Sequence, residues 1–347
     1  MKIVIESLAY EAPQRVCTSL MIEERLAPLY ASLGLAEGRL ELMTGIHERR
    51  FWDNPGEKPS VGATRAALKL GDQLEGVDAL LYAGVCRDGL EPATAAYVHQ
   101  QLKLPQEAFF LDVSSACLGF INAIYVAKSL IASGAKKRVL IVASENGESL
   151  LENTLHLLLN TPQTRQTIKP YFANLTIGAG ACAMVVASEK ALRASPVAEL
   201  GAIHFQNDTS SVHLCEGQQV TLHGAPVYNM VTDSEALLHA GLRLAKSCWS
   251  GFLEKASTAG PSFGAVLAHQ VGKQHAHGLY EAIGVGLEKS HFTYPEWGNV
   301  GSVSLPLTLA CFLEKQSNFE SPIALLGIGS GLSAMMAELL PVNGTAS

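Results

Sequence analysis

Three residue types that together can move an acyl group stand at comparable places in this chain. Cys117 lies in "LDVSSACLGF", where an apolar strand pattern gives way, across a turn of small residues, to an amphipathic helix pattern. A thiol in the first turn of a helix meets unpaired N–H groups and the positive end of the helix dipole, and both favour thiolate. His269, in "GAVLAHQVGK", follows an apolar run just where it stops, and Asn299, in "EWGNVGSVSLPL", precedes an apolar helix pattern. The Gly-Ser-Gly around Ser330 makes a tight turn whose N–H groups can face an oxyanion. A nucleophilic thiol, an imidazole, an amide and an oxyanion hole are the parts that acyl transfer requires. Each residue has a plainer reading: a buried cysteine, a strand-end histidine, an asparagine that forms a turn, and a hairpin. It is their joint occurrence that points to chemistry.

The elements that must position these residues follow from apolar patterning. Strand-length runs occur at Lys2 to Ser7, Val77 to Val85, Ala108 to Ser114, Arg138 to Ser144 and Gly180 to Ala187, with helical patterns at Val61 to Leu70 and Leu118 to Ile131 between them. The second half alternates similarly, with strand runs at Ala198 to Phe205, Ala265 to Gln270, Ile323 to Ile328 and Ser333 to Leu339, and helical patterns at Thr232 to Glu254, Gln274 to Ile283 and Ser304 to Glu314. This predicts an α/β protein of two related halves, residues 1–190 carrying the cysteine and 191–347 carrying the histidine and asparagine. The polar stretch Glu148 to Lys169 lacks strand alternation and reads as an excursion between sheet strands.

Composition narrows the partners. A net charge of −7 over 347 residues offers no basic field for nucleic acid, and no basic amphipathic segment suggests a membrane surface. Seven cysteines, widely spaced and without C-x-x-C, fit a reducing compartment and no zinc site, so a soluble cytoplasmic protein is expected. His275 and His277 face different directions on one helix and are expected to be solvated rather than to hold a metal. Trp52, Trp249 and Trp297 are expected to pack.

The segments "DVSSACLGF", "AHQV" and "GNVGSVSLP", with "TGIHERR" at Thr44 to Arg50 and the C-terminal "GIGSGL", resemble the active-site motifs of the thiolase superfamily, in its β-ketoacyl-ACP synthase III group. The resemblance runs nearly end to end. It implies a thiolase fold, a five-layered α/β/α/β/α body, that works as a homodimer. It also implies roles: Cys117 as acyl acceptor, His269 and Asn299 as donors to the enolate of the second substrate, and the N–H groups of Cys117 and Ser330 as oxyanion hole. Apart from the resemblance, the basic pair Arg49 and Arg50 has two readings, a contact for a CoA phosphate or an acyl carrier protein and an exposed basic loop. No cofactor is implied beyond acyl-CoA as substrate. Papain-like proteases share the Cys-His-Asn set, but their local signature around the cysteine is absent.

In "VCRDGLEPATAAYVHQQL", Glu91 stands where initiating synthases carry an aromatic residue on a loop that enters the partner's acyl pocket. A glutamate there resembles the OleA-type group, which joins two acyl-CoA molecules head to head. A malonyl-thioester forms its enolate by losing CO₂, whereas an ordinary acyl-thioester must lose a Cα proton to a base. Glu91, desolvated in an apolar pocket of the other subunit, would be that base; its plainer reading is an exposed loop carboxylate or one paired with Arg87. The sequence departs from the synthase III pattern at Arg39 and Met43, where CoA contacts usually stand, and at "IGAGACAMVV", which lacks the usual aspartate. The expected activity is a non-decarboxylative Claisen condensation of two acyl thioesters giving a 2-alkyl-3-keto acid. The alternatives are decarboxylating condensation with malonyl-ACP and, third, a non-catalytic ketosynthase-like interaction subunit.

Overall fold

The computed structural model describes the chain apart from residues 223–224, 258–261, 317–318 and 343–347. Its strands are β1 (Ile3–Glu11), β2 (Arg15–Thr18), β3 (Glu48–Phe51), β4 (Ala79–Tyr82), β5 (Phe109–Asp112), β6 (Arg138–Asn146), β7 (Ala179–Ser188), β8 (Ala198–Asn207), β9 (Cys215–Leu222), β10 (Ala225–Thr232), β11 (Ala265–Ala268), β12 (Ile323–Gly329) and β13 (Ser333–Leu340). Nine of them form one sheet in the order β11-β12-β13-β8-β1-β7-β6-β4-β5. Its two wings meet where β1 pairs with β8 over only Val4↔Glu199 and Ile5↔Ala198. The parallel pairs are β4 with β5, β4 with β6, and β11 with β12.

Strand alternation builds the layers. In the first wing Ala79, Leu81, Val139 and Ile141 face a core shared with the helices Gly119–Ala132 and Ser304–Lys315, and Ala265, Leu267, Ile323 and Leu325 of the second wing face the same core. Their neighbours point outward: Leu80, Tyr82, Leu140 and Val142 pack under the Pro59–Leu68 and Glu148–Asn160 helices, and Val266, Ala324 and Leu326 under Ser234–Leu253 and Lys273–Ile283. The order is helix, sheet wing, helix pair, sheet wing, helix, the five layers expected. The two wings share a central core instead of owning one each. The central helix is apolar nearly all round because it is covered on both sides.

Each strand run expected from the sequence is present. The stretch after Glu148 is a helix and then a 3₁₀ segment, Lys169–Thr176, rather than strand. The β9–β10 hairpin and the helices between Ser19 and Thr44 have no counterpart in the sequence reading. Among the described residues no helix is long and apolar enough to cross a membrane. Trp52, Trp249 and Trp297 are buried, as expected for packing residues.

Candidate active site

Parallel strands of α/β sheets gather functional groups at their C-terminal ends. Here Cys86 follows β4, Cys117 follows β5 and Glu145 stands one residue before the end of β6, while His269 follows β11 and Ser330 follows β12. All five line one cavity of about 300 Å³, together with Asn299. Leu150, Leu237, Leu242, Ile328 and Leu332 make much of the remaining wall, so the cavity suits an acyl chain.

Cys117 sits in a single 3₁₀ turn, Ala116–Leu118, ahead of the Gly119–Ala132 helix. Ala116 is held at φ 45°, a left-handed conformation that costs a non-glycine residue on the order of 1 to 3 kcal/mol and that presents the thiol at a sharp bend. Gly119 lets this bend approach β4: a Cβ there would lie 2.1 Å from the Ala83 carbonyl oxygen. The turn is therefore fixed by close backbone contact.

The expected thiolate is not what the surroundings favour. Burial, then the Glu145 charge, then Cys215 push the Cys117 thiol up to about 12, against a smaller opposing effect of its own N–H. Desolvation outweighs the helix end because the thiol lies inside an apolar cavity, not at a solvated terminus. The candidate nucleophile rests as a neutral thiol. His269 is neutral too, lowered to about 4 by burial and by the neighbouring His275. Its backbone N–H donates to Leu326 O at 2.8 Å, tying it to β12, and its buried Nδ1 has no partner among the described residues. A neutral imidazole keeps one acceptor, which can take the thiol proton, and one donor, which can serve a developing oxyanion.

Asn299 is fixed on both sides. Its N–H donates to Thr176 O at 2.9 Å and its carbonyl accepts from Gly178 N at 2.9 Å, in a bridge to Ile177 beside β7. Its Oδ1 accepts from Gly301 N at 3.0 Å, so Nδ2 is the group left to donate to a substrate. Ser330, in the turn between β12 and β13, is both hairpin and cavity wall, and its Oγ donates to Cys215 Sγ at 3.2 Å.

The remaining expected site residues lie elsewhere. Glu91 is exposed, on the loop between β4 and the Thr94–Gln101 helix, and does not line the cavity of its own chain. That loop is well anchored: Asp88 accepts from Ser60 N at 2.8 Å and Ser60 Oγ at 2.6 Å, and Asp112 caps the following helix through Thr94 N and Ala95 N, each at 2.8 Å. Leu90 and Glu91 stand at its crest, with Leu90 fully exposed.

Arg49 is corrected. Its guanidinium is buried and donates to Cys17 O, Ser19 Oγ and Leu175 O, so it ties β3 to neighbouring segments and presents nothing to a CoA phosphate. Alternation along β3 places Arg50 on the opposite face, half-buried over the Trp297 ring at 5.4 Å and 3.7 Å from Glu48. His275 is likewise corrected: it lines the cavity and is lowered by burial, whereas His277 is exposed as expected. Among the described residues no group of three or more His, Cys, Asp or Glu could hold a metal ion. Glu145, Cys86, Cys215 and His275 are cavity residues that sequence reasoning missed. An acidic residue closing the apolar run "RVLIVASEN" was the available signal for the first.

Family models for 3-oxoacyl-[acyl-carrier-protein] synthase III match residues 111–208 and, for its C-terminal part, 253–339. The chain is 36% identical to the acyl-CoA:acyl-CoA alkyltransferase of Shewanella oneidensis, covering 96% of this chain and 97% of that one. It is 32% identical to the protein of the same name from Xanthomonas campestris, covering 97% and 98%. The crystal structure of cerulenin-bound OleA from Xanthomonas campestris superposes with a TM-score of 0.90 at 32% identity, over 98% of this chain and 97% of that one. Layer order, strand-end placement of the cavity residues and these likenesses agree: the chain belongs to the thiolase superfamily, to its synthase III-like, OleA-type branch of acyl-transferring condensing enzymes.

Proposed function

We propose that this protein condenses two acyl-CoA molecules without decarboxylation, through an acyl-Cys117 intermediate, and that it does so as a homodimer. The observation that carries the reading is the convergence of Cys117, His269 and Asn299 on one largely apolar cavity. In the first step the Cys117 sulfur attacks the thioester carbonyl while His269 takes its proton. The N–H groups of Cys117 and Ser330 stabilise the oxyanion, and the CoA thiolate leaves with the proton returned by His269. Because thiol and imidazole both rest neutral, charge separates only as the carbonyl is attacked, inside a water-poor cavity.

In the second step a base removes a Cα proton from the second acyl thioester. His269 and the Asn299 amide donate to the enolate oxygen, the Cα–C bond forms at the acyl-enzyme carbonyl, and the C–S bond to Cys117 breaks. Hydrolysis of the remaining thioester gives the 2-alkyl-3-keto acid. Glu91 of a second copy is the base in this reading. Two features support it: the anchored loop that holds Glu91 clear of its own cavity, and the edge strand β5, where Phe109, Phe110 and Leu111 are 44%, 42% and 43% exposed. An unpaired edge with three consecutive exposed apolar residues calls for a covering partner.

The relatives named acyl-CoA:acyl-CoA alkyltransferase favour acyl-CoA for both substrates. The second reading, decarboxylating condensation with malonyl-ACP, is favoured by the 3-oxoacyl-[acyl-carrier-protein] synthase III models that match residues 111–208 and 253–339. Incubation with long-chain acyl-CoA alone separates the two. Ketone or β-keto acid is expected; product that forms only on adding a malonyl-thioester would leave the decarboxylating reading. Intact-mass measurement should show an acyl adduct that Cys117→Ala abolishes, and no adduct in the wild type would leave only an interaction subunit.

A further inference from the structure

We propose that Glu145 is a positioning residue for the condensation step: its carboxylate fastens the loop leading to Glu91 onto the turn carrying Asn299, beside the Cys117 thiol. The inference rests on the reading that this cavity condenses acyl thioesters. Glu145 is the penultimate residue of β6 and is 3% exposed. Its Oε1 accepts from Val85 N at 2.9 Å, Ser302 N at 3.1 Å and Ser302 Oγ at 2.7 Å, and its Oε2 accepts from Cys86 N at 2.9 Å. The carboxylate therefore holds two segments that the sheet alone does not join: the start of the loop after β4, and the first turn before the Ser304–Lys315 helix.

The second segment leads directly to chemistry. Gly301, next to Ser302, donates to Asn299 Oδ1 and so sets which amide atom faces a substrate. Gly301 adopts φ +53°, and a Cβ there would lie 2.9 Å from Glu145 Oε1, so conformation and proximity both call for glycine. From Glu145 through Ser302 and Gly301 to the Asn299 amide there is one continuous set of contacts.

Both Glu145 oxygens already accept protein donors, which leaves the carboxylate poorly placed to take a substrate proton. Burial, the larger effect, raises its carboxyl above the ordinary range, against the donors from Val85, Cys86 and Ser302. Donors on both oxygens favour the ionised form, because a protonated carboxyl would set its O–H against an N–H. A buried carboxylate neutralised by backbone amides and a hydroxyl is costly to desolvate. Its use here is to bring two loops into register. The titratable groups around it are Cys117, Cys86 and Tyr82, each shifted upward in part by its charge.

The test compares Glu145→Gln and Ser302→Ala with the wild type in three measurements: acyl-adduct formation on Cys117 by intact mass, turnover of the preformed acyl-enzyme with the second thioester, and the pH midpoint of iodoacetamide alkylation at Cys117. In Glu145→Gln the side-chain NH₂ opposes the Cys86 N–H, and turnover is expected to fall about 100-fold. Adduct formation should be affected at least about tenfold less than turnover, and the alkylation midpoint should move to lower pH as the charge is removed. Ser302→Ala keeps the charge and should cut turnover by about tenfold with the midpoint in place. Unchanged turnover in Ser302→Ala overturns the proposal, even if Glu145→Gln does not fold. So does a fall in adduct formation and turnover by the same factor in Glu145→Gln. A wild type that forms the adduct but turns over with no second thioester instead overturns the condensation reading, a result the variants do not influence.

Discussion

Cys117 and Glu91 stand past the ends of adjacent strands, β5 and β4, yet in opposite surroundings. The thiol is turned inward, into a cavity that keeps it protonated; the carboxylate stands on an anchored crest in solvent. The difference teaches that one copy of the fold gathers the candidate nucleophile and its candidate donors but leaves the candidate base outside. In the proposed homodimer this carboxylate would enter the largely apolar cavity of the other copy, where desolvation favours a proton acceptor.

Glu91→Gln should give the largest effect. If the carboxylate removes the Cα proton, condensation falls by about 10² to 10⁴-fold while acyl-adduct formation on Cys117 is retained. Equal loss in both steps, read by product chromatography beside intact mass, would mean that Glu91 supports the fold instead. Next is the inward side of the comparison. Alkylation of Cys117 by iodoacetamide at pH 7.5 should run about 100-fold or more slower than that of a free cysteine and climb toward a midpoint near 12. A midpoint below 8 would restore the picture of a resting thiolate.

The smallest effect concerns stability. His269, lowered to about 4, binds its proton less readily in the folded chain than in the unfolded one, whose value is near 6.5. Its contribution is complete above pH 6.5 and declines as pH falls from there to about 4. The Tm of the wild type should therefore drop over that interval by a few degrees more than that of His269→Ala, and parallel slopes would contradict the burial of a neutral imidazole.

Much of this was legible because strand alternation and helix periodicity report burial directly. The runs around Leu80, Val139, Leu267 and Leu325 are strands of one sheet, and the cysteine, histidine and asparagine fall at the junctions that gather over one cavity. Three things were not legible. The helix-end argument for Cys117 is local, whereas desolvation depends on which distant segments close over the thiol. The basic pair Arg49 and Arg50 reads as an exposed patch, but a two-residue period buries the first and not the second. Glu145 and His275 resemble solvated polar residues until the strands that flank them are assembled.

The central claim is that each active site takes its nucleophile from one copy and its base from the other. Co-expressing Cys117→Ala with Glu91→Gln tests it, because the mixed dimer has one site with both groups intact. Purified mixed dimer should condense acyl-CoA at about half the wild-type rate per dimer, although neither parent homodimer is active. A mixed dimer as inactive as its parents would contradict the shared site.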